Sequence, residues 1–373
     1  MAARKGASHV ARSAAPQQTM PPAPKSLAAV FFEDTIEAAD LAARRGFGWT
    51  EKTYLIGGRG LRIKFGSAAL EWRLGRALAH LEIAAPSEPA LTIFAWDSGT
   101  SRLPPLQTGW LADAYGKYGE ISGFNDARFH TATRLDPVIF RMLDRDRKRA
   151  IYWTPSADDL PEHETAAPMR PLLHEWLQGD GALPLHSGAV GFPGGGILLA
   201  GRGGAGKSHA ALACLLSPLL YASDDFCVLS SGSEWLAHSM YSTGKVGSGD
   251  LARFPHLVPF IGNPERRPDA KAVFFLHEHF PSRLIRTFPL RAIVLPRVCP
   301  DEPSAILPAS RGAAHKAIAI GTMEMARNQA ALTFSKVARL VNDLPSFELR
   351  MGIRIEAVPA LISDLLARTP ATA

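Results

Sequence analysis

The chain reads Gly201-Arg202-Gly203-Gly204-Ala205-Gly206-Lys207-Ser208 near its centre, between the apolar run Gly196–Ala200 and a segment of helical composition, Ser208–Leu216. A G-x-x-x-x-G-K-[ST] pattern that follows a strand and opens a helix is typical of a phosphate-binding P-loop. Its glycines let consecutive backbone N–H groups turn inward around phosphate oxygens, where a Cβ would block the approach. A chance glycine-rich turn would not require this strand–loop–helix context, so the stretch predicts a nucleotide site in an α/β fold.

The P-loop residues have distinct expected roles around ATP and Mg²⁺. Lys207 is predicted to reach the β- and γ-phosphates, and the Ser208 hydroxyl is predicted to coordinate Mg²⁺. The helix that starts near Lys207 adds the partial positive charge of its N-terminus. The predicted nucleotide-binding residues are Gly201, Arg202, Gly203, Gly204, Ala205, Gly206, Lys207, Ser208 and His209.

Two adjacent carboxylates, Asp224 and Asp225, come just after the strand predicted at Leu219–Tyr221. A strand, a helix and a strand within about 30 residues form the βαβ unit of a parallel sheet, which binds ligands beyond the carboxyl ends of its strands. Because side chains alternate along a strand, one carboxylate can hold the metal while the other accepts the proton of an attacking hydroxyl. An isolated Asp-Asp is usually a solvated turn, but this position favours a functional pair.

A histidine precedes the P-loop strand, in the segment Leu185-His186-Ser187-Gly188-Ala189-Val190. From its chemistry alone, such a residue is more often a hydrogen-bonded structural histidine than a catalytic one.

Three features, in this order and spacing, resemble the catalytic domain of the HPr serine kinase/phosphorylase family. They are the His186 segment, the P-loop and the Asp224-Asp225 pair, and the similarity is good over Leu183–Leu229 and loose elsewhere. The resemblance implies that His186 and Asp225 assist proton transfer from a serine hydroxyl. It also implies that Ser208 and Asp224 hold Mg²⁺.

The sequence departs from that family in its later part. The Glu-Ile-Arg-Gly core of the family's second glycine-rich loop is absent, and His238–Val246 takes its place. This segment is more similar to HPr-kinase-like proteins found beside peptide-modification genes, some of which phosphorylate lasso peptide precursors. In that comparison Lys245 contacts the transferred phosphate, although a surface lysine is an equal alternative. Asp250 is a further candidate metal ligand.

The pattern of apolar segments predicts an α/β fold in which a smaller α+β domain precedes a domain of alternating strands and helices. The resemblance implies that the second is a P-loop, HPr-kinase-like catalytic domain with a mixed β-sheet. The predicted divisions are a flexible segment over residues 1–26, the α+β domain over 27–165 and the catalytic domain over 170–373. Acidic and proline-bearing composition between Asp158 and Pro171 indicates the connection. Further elements are a hairpin around Gly57–Gly60, a helix through Leu70, Leu74, Leu78 and Leu81, a helix over Leu172–Leu177, strands at Leu91–Trp96, Ile151–Trp153, Leu290–Leu295 and Phe347–Met351, and helices over Gln329–Val341 and through Leu361–Leu366.

Charge and composition exclude several classes of function. The formal net charge is +6, and much of it comes from a segment that precedes the first acidic residue, namely Arg4, Lys5, Arg12 and Lys25. The remainder shows no basic stripe with interleaved aromatic residues, which argues against nucleic acid. No run approaches the ~20 apolar residues that cross a membrane. Three widely spaced cysteines indicate a reducing compartment, so we expect a cytoplasmic protein, although the acid-free N-terminus also fits a transit peptide.

The sequence therefore predicts an ATP- and Mg²⁺-dependent serine kinase, with a Ser- or Thr-bearing peptide or small protein as the acceptor. Asp225 is the expected base, assisted by His186, and Lys207 and Lys245 are the expected catalytic lysines. Other uses of a P-loop stay open, namely an ATPase, a small-molecule kinase or a non-enzymatic ATP-binding module. The sequence also leaves open the acceptor, a homo-oligomeric state, a reverse phosphorylase reaction and the role of the N-terminal domain.

Overall fold

The computed structural model describes residues 26–45, 48–84, 88–101, 103–106, 110, 112–322 and 329–369. The segment predicted to be flexible, residues 1–26, lies outside the described residues except for Ser26. None of the described helices is long and apolar enough to cross a membrane.

The N-terminal part of the chain forms a six-stranded mixed sheet with helices around it. Its elements are α1 Leu27–Arg45, β1 Thr50–Ile56, β2 Arg59–Phe65, α2 Ala68–Gly75, β3 Leu91–Asp97, β4 Phe129–Leu135, β5 Val138–Asp144 and β6 Arg149–Thr154. The strand order is β1-β2-β3-β6-β5-β4, and the pairs β2–β3 and β3–β6 are parallel. The predicted hairpin is present as β1 and β2, which Gly57 and Gly58 join with positive φ angles.

The helix predicted through Leu70, Leu74, Leu78 and Leu81 is real but not uniform. The α-helix α2 gives way at Arg76 to a 3₁₀ turn that runs to Leu81, and all four leucines are buried. The Ser67 hydroxyl caps α2 by accepting a hydrogen bond from the Leu70 N–H. The tighter 3₁₀ turn keeps the apolar residues on one side while the chain changes direction.

The segment expected to connect two domains contains ordered structure. Helix α3 spans Glu162–Ala166 and α4 spans Arg170–Gly179. Glu164 is 4% exposed, and its carboxylate accepts hydrogen bonds from the Tyr152 hydroxyl and the Met169 N–H. The two acceptor bonds satisfy a carboxylate that is otherwise costly to bury.

The C-terminal part forms a nine-stranded mixed sheet and a separate two-stranded sheet, β13–β14. The strands are β7 Leu183–Leu185, β8 Gly188–Phe192, β9 Gly195–Leu199, β10 Leu220–Ser223, β11 Cys227–Ser231, β12 Trp235–Ser239, β13 Thr243–Val246, β14 Ala272–Phe275, β15 Thr287–Val298, β16 Ala305–Pro308 and β17 Ser346–Met351. The helices are α5 Lys207–Ala213, α6 Leu276–His279, α7 Arg311–Thr322, α8 Ala330–Asp343 and α9 Val358–Arg368. The large sheet runs β10-β8-β9-β15-β12-β11-β7, with β17 beside β15 and β16 beside β17.

The expected parallel βαβ unit is wrong in one respect. The strands β9 and β10 on either side of α5 do run parallel, but they do not pair, because β8 lies between them and is antiparallel to both. Strand β8 therefore begins at the end of the sheet at which β9 and β10 terminate. This inserted strand brings the residues just before Gly188 to the carboxyl ends of the P-loop strand and its neighbour.

The two parts of the chain share one buried apolar cluster. It contains Tyr54 and Leu70 from the first sheet region together with Val228, Tyr241 and Phe275 from the second. The division between 27–165 and 170–373 stays a prediction, and extensive packing crosses it.

Candidate functional site

The P-loop joins the end of β9 to the start of α5, as predicted. Gly204 and Gly206 adopt positive φ angles of 79° and 102°, which side chains with a Cβ rarely accept. A Cβ on Gly206 would also lie 2.2 Å from the Cε atom of Met351 on β17. At Gly203 and Gly204 a Cβ would meet nothing within 4 Å, so this part of the loop is open to its surroundings. The loop thus has a packed inner end and an accessible tip.

Lys207 lies inside the loop rather than on the surface. Its side chain is buried, and its ammonium donates hydrogen bonds to the carbonyl oxygens of Gly201, at 2.8 Å, and Arg202, at 3.4 Å. Burial lowers the pKa of Lys207, and the charges of Asp225 and Asp224 oppose that shift. The two carboxylates therefore help to keep a buried ammonium charged beside the loop.

Asp224 follows the end of β10 and is 2% exposed. The Oδ2 atom of its carboxylate accepts a hydrogen bond from the Lys245 N–H at 3.0 Å. Burial raises the pKa of Asp224, and the charge of Asp225 raises it further. Ser208 and Asp224 stay predicted metal ligands, and the Ser208 side chain lowers the pKa of the Asp224 carboxyl against the effect of burial.

Asp225 is held between two cationic or polar partners. Its Oδ1 atom lies 2.7 Å from Nε2 of His186, and its Oδ2 atom lies 2.9 Å from Nζ of Lys245. Burial alone would raise the pKa of Asp225, but Lys245 and His186 together outweigh burial and hold that pKa well below its usual range. His186 reaches Asp225 because it lies two residues before β8, which starts where β10 ends.

One cleft of about 630 Å³ contains most of the predicted site residues. Its lining includes Gly203, Gly204, Gly206, Lys207, Ser208, His209, His186, Asp225, Lys245 and Asp250. Asp250 lies on a 3₁₀ turn at the far side, with its Oδ2 atom 3.3 Å from Nε2 of His209. Burial lowers the pKa of His209. A metal-binding role for Asp250 stays a prediction.

Sequence reasoning missed the aromatic residue that supports the catalytic candidates. Phe226 is buried and follows Asp225, and the His186 ring stacks on it at a centroid distance of 5.1 Å. The Lys245 ammonium and the Arg170 guanidinium lie over the same ring, at 5.6 Å and 4.7 Å from its centroid. An aromatic residue directly after an acidic pair was the available signal, but its neighbours come from distant segments.

The chemistry of the donors fits ATP and Mg²⁺. Mg²⁺ prefers oxygen ligands and is usually held by one or two protein groups together with phosphate oxygens and waters. The Ser208 hydroxyl in the cleft and the buried Asp224 carboxylate are oxygen donors that would hold the ion. Within the described ranges, no group of three or more His, Cys, Asp and Glu residues could hold a metal by itself.

The chain matches no protein-family model, and no curated protein matches it in sequence. Among the solved structures that match is the HPr(Ser) kinase/phosphatase from Coxiella burnetii, at 10% sequence identity and a TM-score of 0.27. That match covers 50% of this chain and 94% of the other. Likeness at this level supports no conclusion about fold or function.

Proposed function

We propose that the protein is an ATP- and Mg²⁺-dependent P-loop kinase of HPr-kinase-like type that phosphorylates a Ser or Thr hydroxyl of a peptide or small protein. The observation that carries this proposal is the position of Asp225. Its carboxylate contacts both His186 and Lys245 in the cleft that the P-loop lines. A P-loop binds a nucleotide, and a carboxylate beside it distinguishes transfer to an acceptor from binding alone.

At the nucleotide end of the cleft, the P-loop N–H groups and Lys207 bind the phosphates. Ser208 and Asp224 would hold Mg²⁺, which neutralises the charge that develops on the β- and γ-phosphate oxygens. Lys207 is already desolvated and lies against the loop carbonyls, so its charge acts at short range.

At the acceptor end, the hydroxyl oxygen attacks the γ-phosphorus, the bond from that phosphorus to the β–γ bridging oxygen breaks, and ADP leaves. Asp225 accepts the hydroxyl proton, and His186 assists by sharing that carboxylate. The low pKa of Asp225 makes it a weak base, which suits a loose transition state in which the nucleophile is oriented first and loses its proton late. Lys245 pairs with Asp225 before the reaction and would contact the transferred phosphoryl group.

We also propose a cytoplasmic location, because ATP and reduced thiols occur together there. Among the described residues, Cys214 and Cys227 are buried and free, and Cys299 is half-buried and free.

The direct test is ATP consumption by purified protein with Mg²⁺, with EDTA, and with arrays of Ser- and Thr-containing peptides. The proposal expects turnover that requires Mg²⁺ and increases with an acceptor. Binding of a fluorescent ATP analogue without any turnover would instead indicate an ATP-binding module. A rate of ATP consumption that is the same with and without every peptide would indicate an ATPase or a small-molecule kinase.

A further inference from the structure

A second cleft, of about 430 Å³, adjoins the P-loop cleft. His163, Ala167 and Arg170 line both, so the two clefts are continuous. The second cleft lies against β4, at the edge of the six-stranded sheet, and against the segment that carries α3. We call it the cationic cleft because Lys117, Arg134, Arg141 and Arg170 line it.

The charges of the cationic cleft are only partly compensated. In the part of the chain that the structure describes, none of its four basic side chains forms a salt bridge with a carboxylate. The Nε atom of Arg141 is buried and has no hydrogen-bond partner there. One acid, Glu164, also lines the cleft, but the Tyr152 hydroxyl and the Met169 N–H already bind its carboxylate. A second carboxylate, that of Glu120, packs on the turn that carries Lys117 and accepts a hydrogen bond from the Tyr118 N–H. Four cations beside two engaged carboxylates still leave an excess of positive charge.

The wall that carries Lys117 is a fixed turn rather than a loose loop. The Thr133 N–H on β4 donates to the Gly119 carbonyl at 2.7 Å, and the Gly116 N–H donates to the Glu120 carbonyl at 2.7 Å. Gly119 has a φ of +84°, and a Cβ there would lie 1.9 Å from the Thr133 carbonyl oxygen. Only glycine permits this approach, so the turn presents Lys117 and Tyr118 from a defined position.

His163 connects the charges of the two clefts. Arg134 hydrogen-bonds to its ring through Nη1. Burial lowers the pKa of His163, and the positive charges of Arg134, Arg170 and Lys245 lower it further. The positive charges of the cationic cleft and of Lys245, which binds Asp225, therefore both act on His163. A negatively charged chain bound over this region would reach from Lys117 to the acceptor end of the P-loop cleft.

The geometry points to the cationic cleft as the docking site for an acidic segment of the acceptor, with Asp or Glu side chains flanking the phosphorylated Ser or Thr. This inference rests on the proposed kinase function for the position of the hydroxyl. The docking itself needs only the charges of the cleft, so the two can be tested separately.

The docking is tested by fluorescence anisotropy on the full chain without nucleotide turnover. The probes are a labelled peptide with Glu residues around one Ser and a matched peptide with Gln in place of Glu. The Glu peptide should bind about five- to tenfold more tightly at low salt, the range expected for a few solvent-exposed ion pairs. The preference should shrink as ionic strength rises.

The test variant replaces two cations of the cationic cleft, Lys117, which is exposed, and Arg134, which is half-buried. Lys117→Gln combined with Arg134→Gln should remove most of the preference for Glu. The matched control is Arg267→Gln, because Arg267 is exposed, pairs with Asp269 and lines neither cleft. Circular dichroism and binding of a fluorescent ATP analogue should be unchanged in all three proteins. If the double variant unfolds, the single change Lys117→Gln, on an exposed turn, should give a smaller loss of the preference in the same direction.

Equal binding of the Glu and Gln peptides, or a preference that survives the double substitution, would overturn the inference. Tighter binding of an RNA oligonucleotide of equal charge would overturn it in favour of nucleic acid. Docking of the Glu peptide without any phosphoryl transfer would support the docking site and contradict the proposed kinase function. Phosphoryl transfer to array peptides without enrichment of acidic residues around the phosphorylated Ser or Thr would support the kinase function and contradict the docking site.

Discussion

The two sides of the continuous cleft handle charge differently. The P-loop side contains three largely buried charged side chains, those of Lys207, Asp224 and Asp225. The Lys207 ammonium donates to a loop carbonyl, and Lys245 binds both carboxylates, through its N–H at Asp224 and its ammonium at Asp225. On the cationic side, Arg134 and Arg170 are accessible to the cleft and have no carboxylate partner among the described residues. Charges that are buried and paired are suited to chemistry at fixed positions, whereas accessible, uncompensated charges are suited to a partner that comes and goes. Substitutions on the two sides should therefore differ in kind as well as in size.

The largest effect is expected for Lys207→Ala. Removal of a desolvated charge from the place where transition-state charge develops should lower ATP turnover by about 10²–10³-fold. Initial rates of ATP consumption measure this. Lys52→Ala is the matched control, because Lys52 pairs with Glu82 on the N-terminal sheet and should leave turnover unchanged. Wild-type rates in Lys207→Ala would show that the P-loop is not the reacting site.

The next largest effect is expected for Asp225→Asn. The amide keeps the size of the side chain but cannot accept the proton, so transfer to a hydroxyl should fall by about 10²-fold while ATP binding is kept. His186→Ala should fall between that variant and wild type, because it removes an assisting group and leaves the carboxylate. Transfer rates and binding of a fluorescent nucleotide measure the two quantities separately. A loss of nucleotide binding as large as the loss of transfer would indicate that Asp225 organises the nucleotide site instead.

Neighbouring aspartates should have opposite effects on stability. The pKa of Asp224 is raised in the folded state, so its ionisation costs stability as pH rises above the unfolded value of about 3.9. Asp224→Asn should therefore raise the melting temperature at pH 7 by roughly 2 °C, a shift that corresponds to about 1 kcal/mol or less. The gain should fade as pH falls to 4.

Asp225→Asn should do the reverse in the same thermal unfolding experiment. The folded-state pKa of Asp225 is depressed, so its charge contributes stability above the unfolded pKa, and that contribution is lost as pH falls. The variant should melt below wild type at pH 7, with a smaller difference in acid. Asp269→Asn is the control for the loss of a carboxylate whose ion pair lies at the exposed surface. A change of the same sign in both active-site variants would contradict the assigned electrostatics.

A contact between the N-terminal and C-terminal parts of the chain should affect stability and leave the chemistry unchanged. Arg76 forms two hydrogen bonds to the Glu278 carboxylate, at 2.6 Å and 2.8 Å, and lies 3.7 Å from the centroid of the Phe275 ring. Arg76→Ala should cost about 1 kcal/mol in the free energy of unfolding, measured with urea, and leave turnover nearly unchanged. Arg73→Ala, which loses a more exposed pair with Asp158, should cost less. A large loss of activity in Arg76→Ala would show that the site depends on how the sheets meet.

Features of the site that are close in sequence could be predicted, and features that depend on strand pairing could not. The P-loop and the Asp224-Asp225 pair each lie in a short, recognisable segment between regular elements. By contrast, apolar periodicity identifies β8, β9 and β10 as strands but does not say that β8 lies between the other two.

The same limit applies to the remaining members of the site. Lys245 reaches Asp225 only because β13 pairs with β14 beside the end of β10, and the sequence left a surface lysine as an equal alternative. Arg170 and His163 come from the segment that composition marked as a connection. Nothing in the spacing of Lys117 and Arg134 shows that they face one cleft, because that depends on the turn packed on β4.

The most direct test of the central claim locates the phosphate that leaves ATP. Wild-type protein and Asp225→Asn are incubated with γ-labelled ATP, Mg²⁺ and the Ser- and Thr-containing peptides, and mass spectrometry then finds the labelled atoms. The account predicts label on a side-chain oxygen with wild type and about 10²-fold less with Asp225→Asn. Label released only as inorganic phosphate, at the same rate with and without every acceptor, would contradict it.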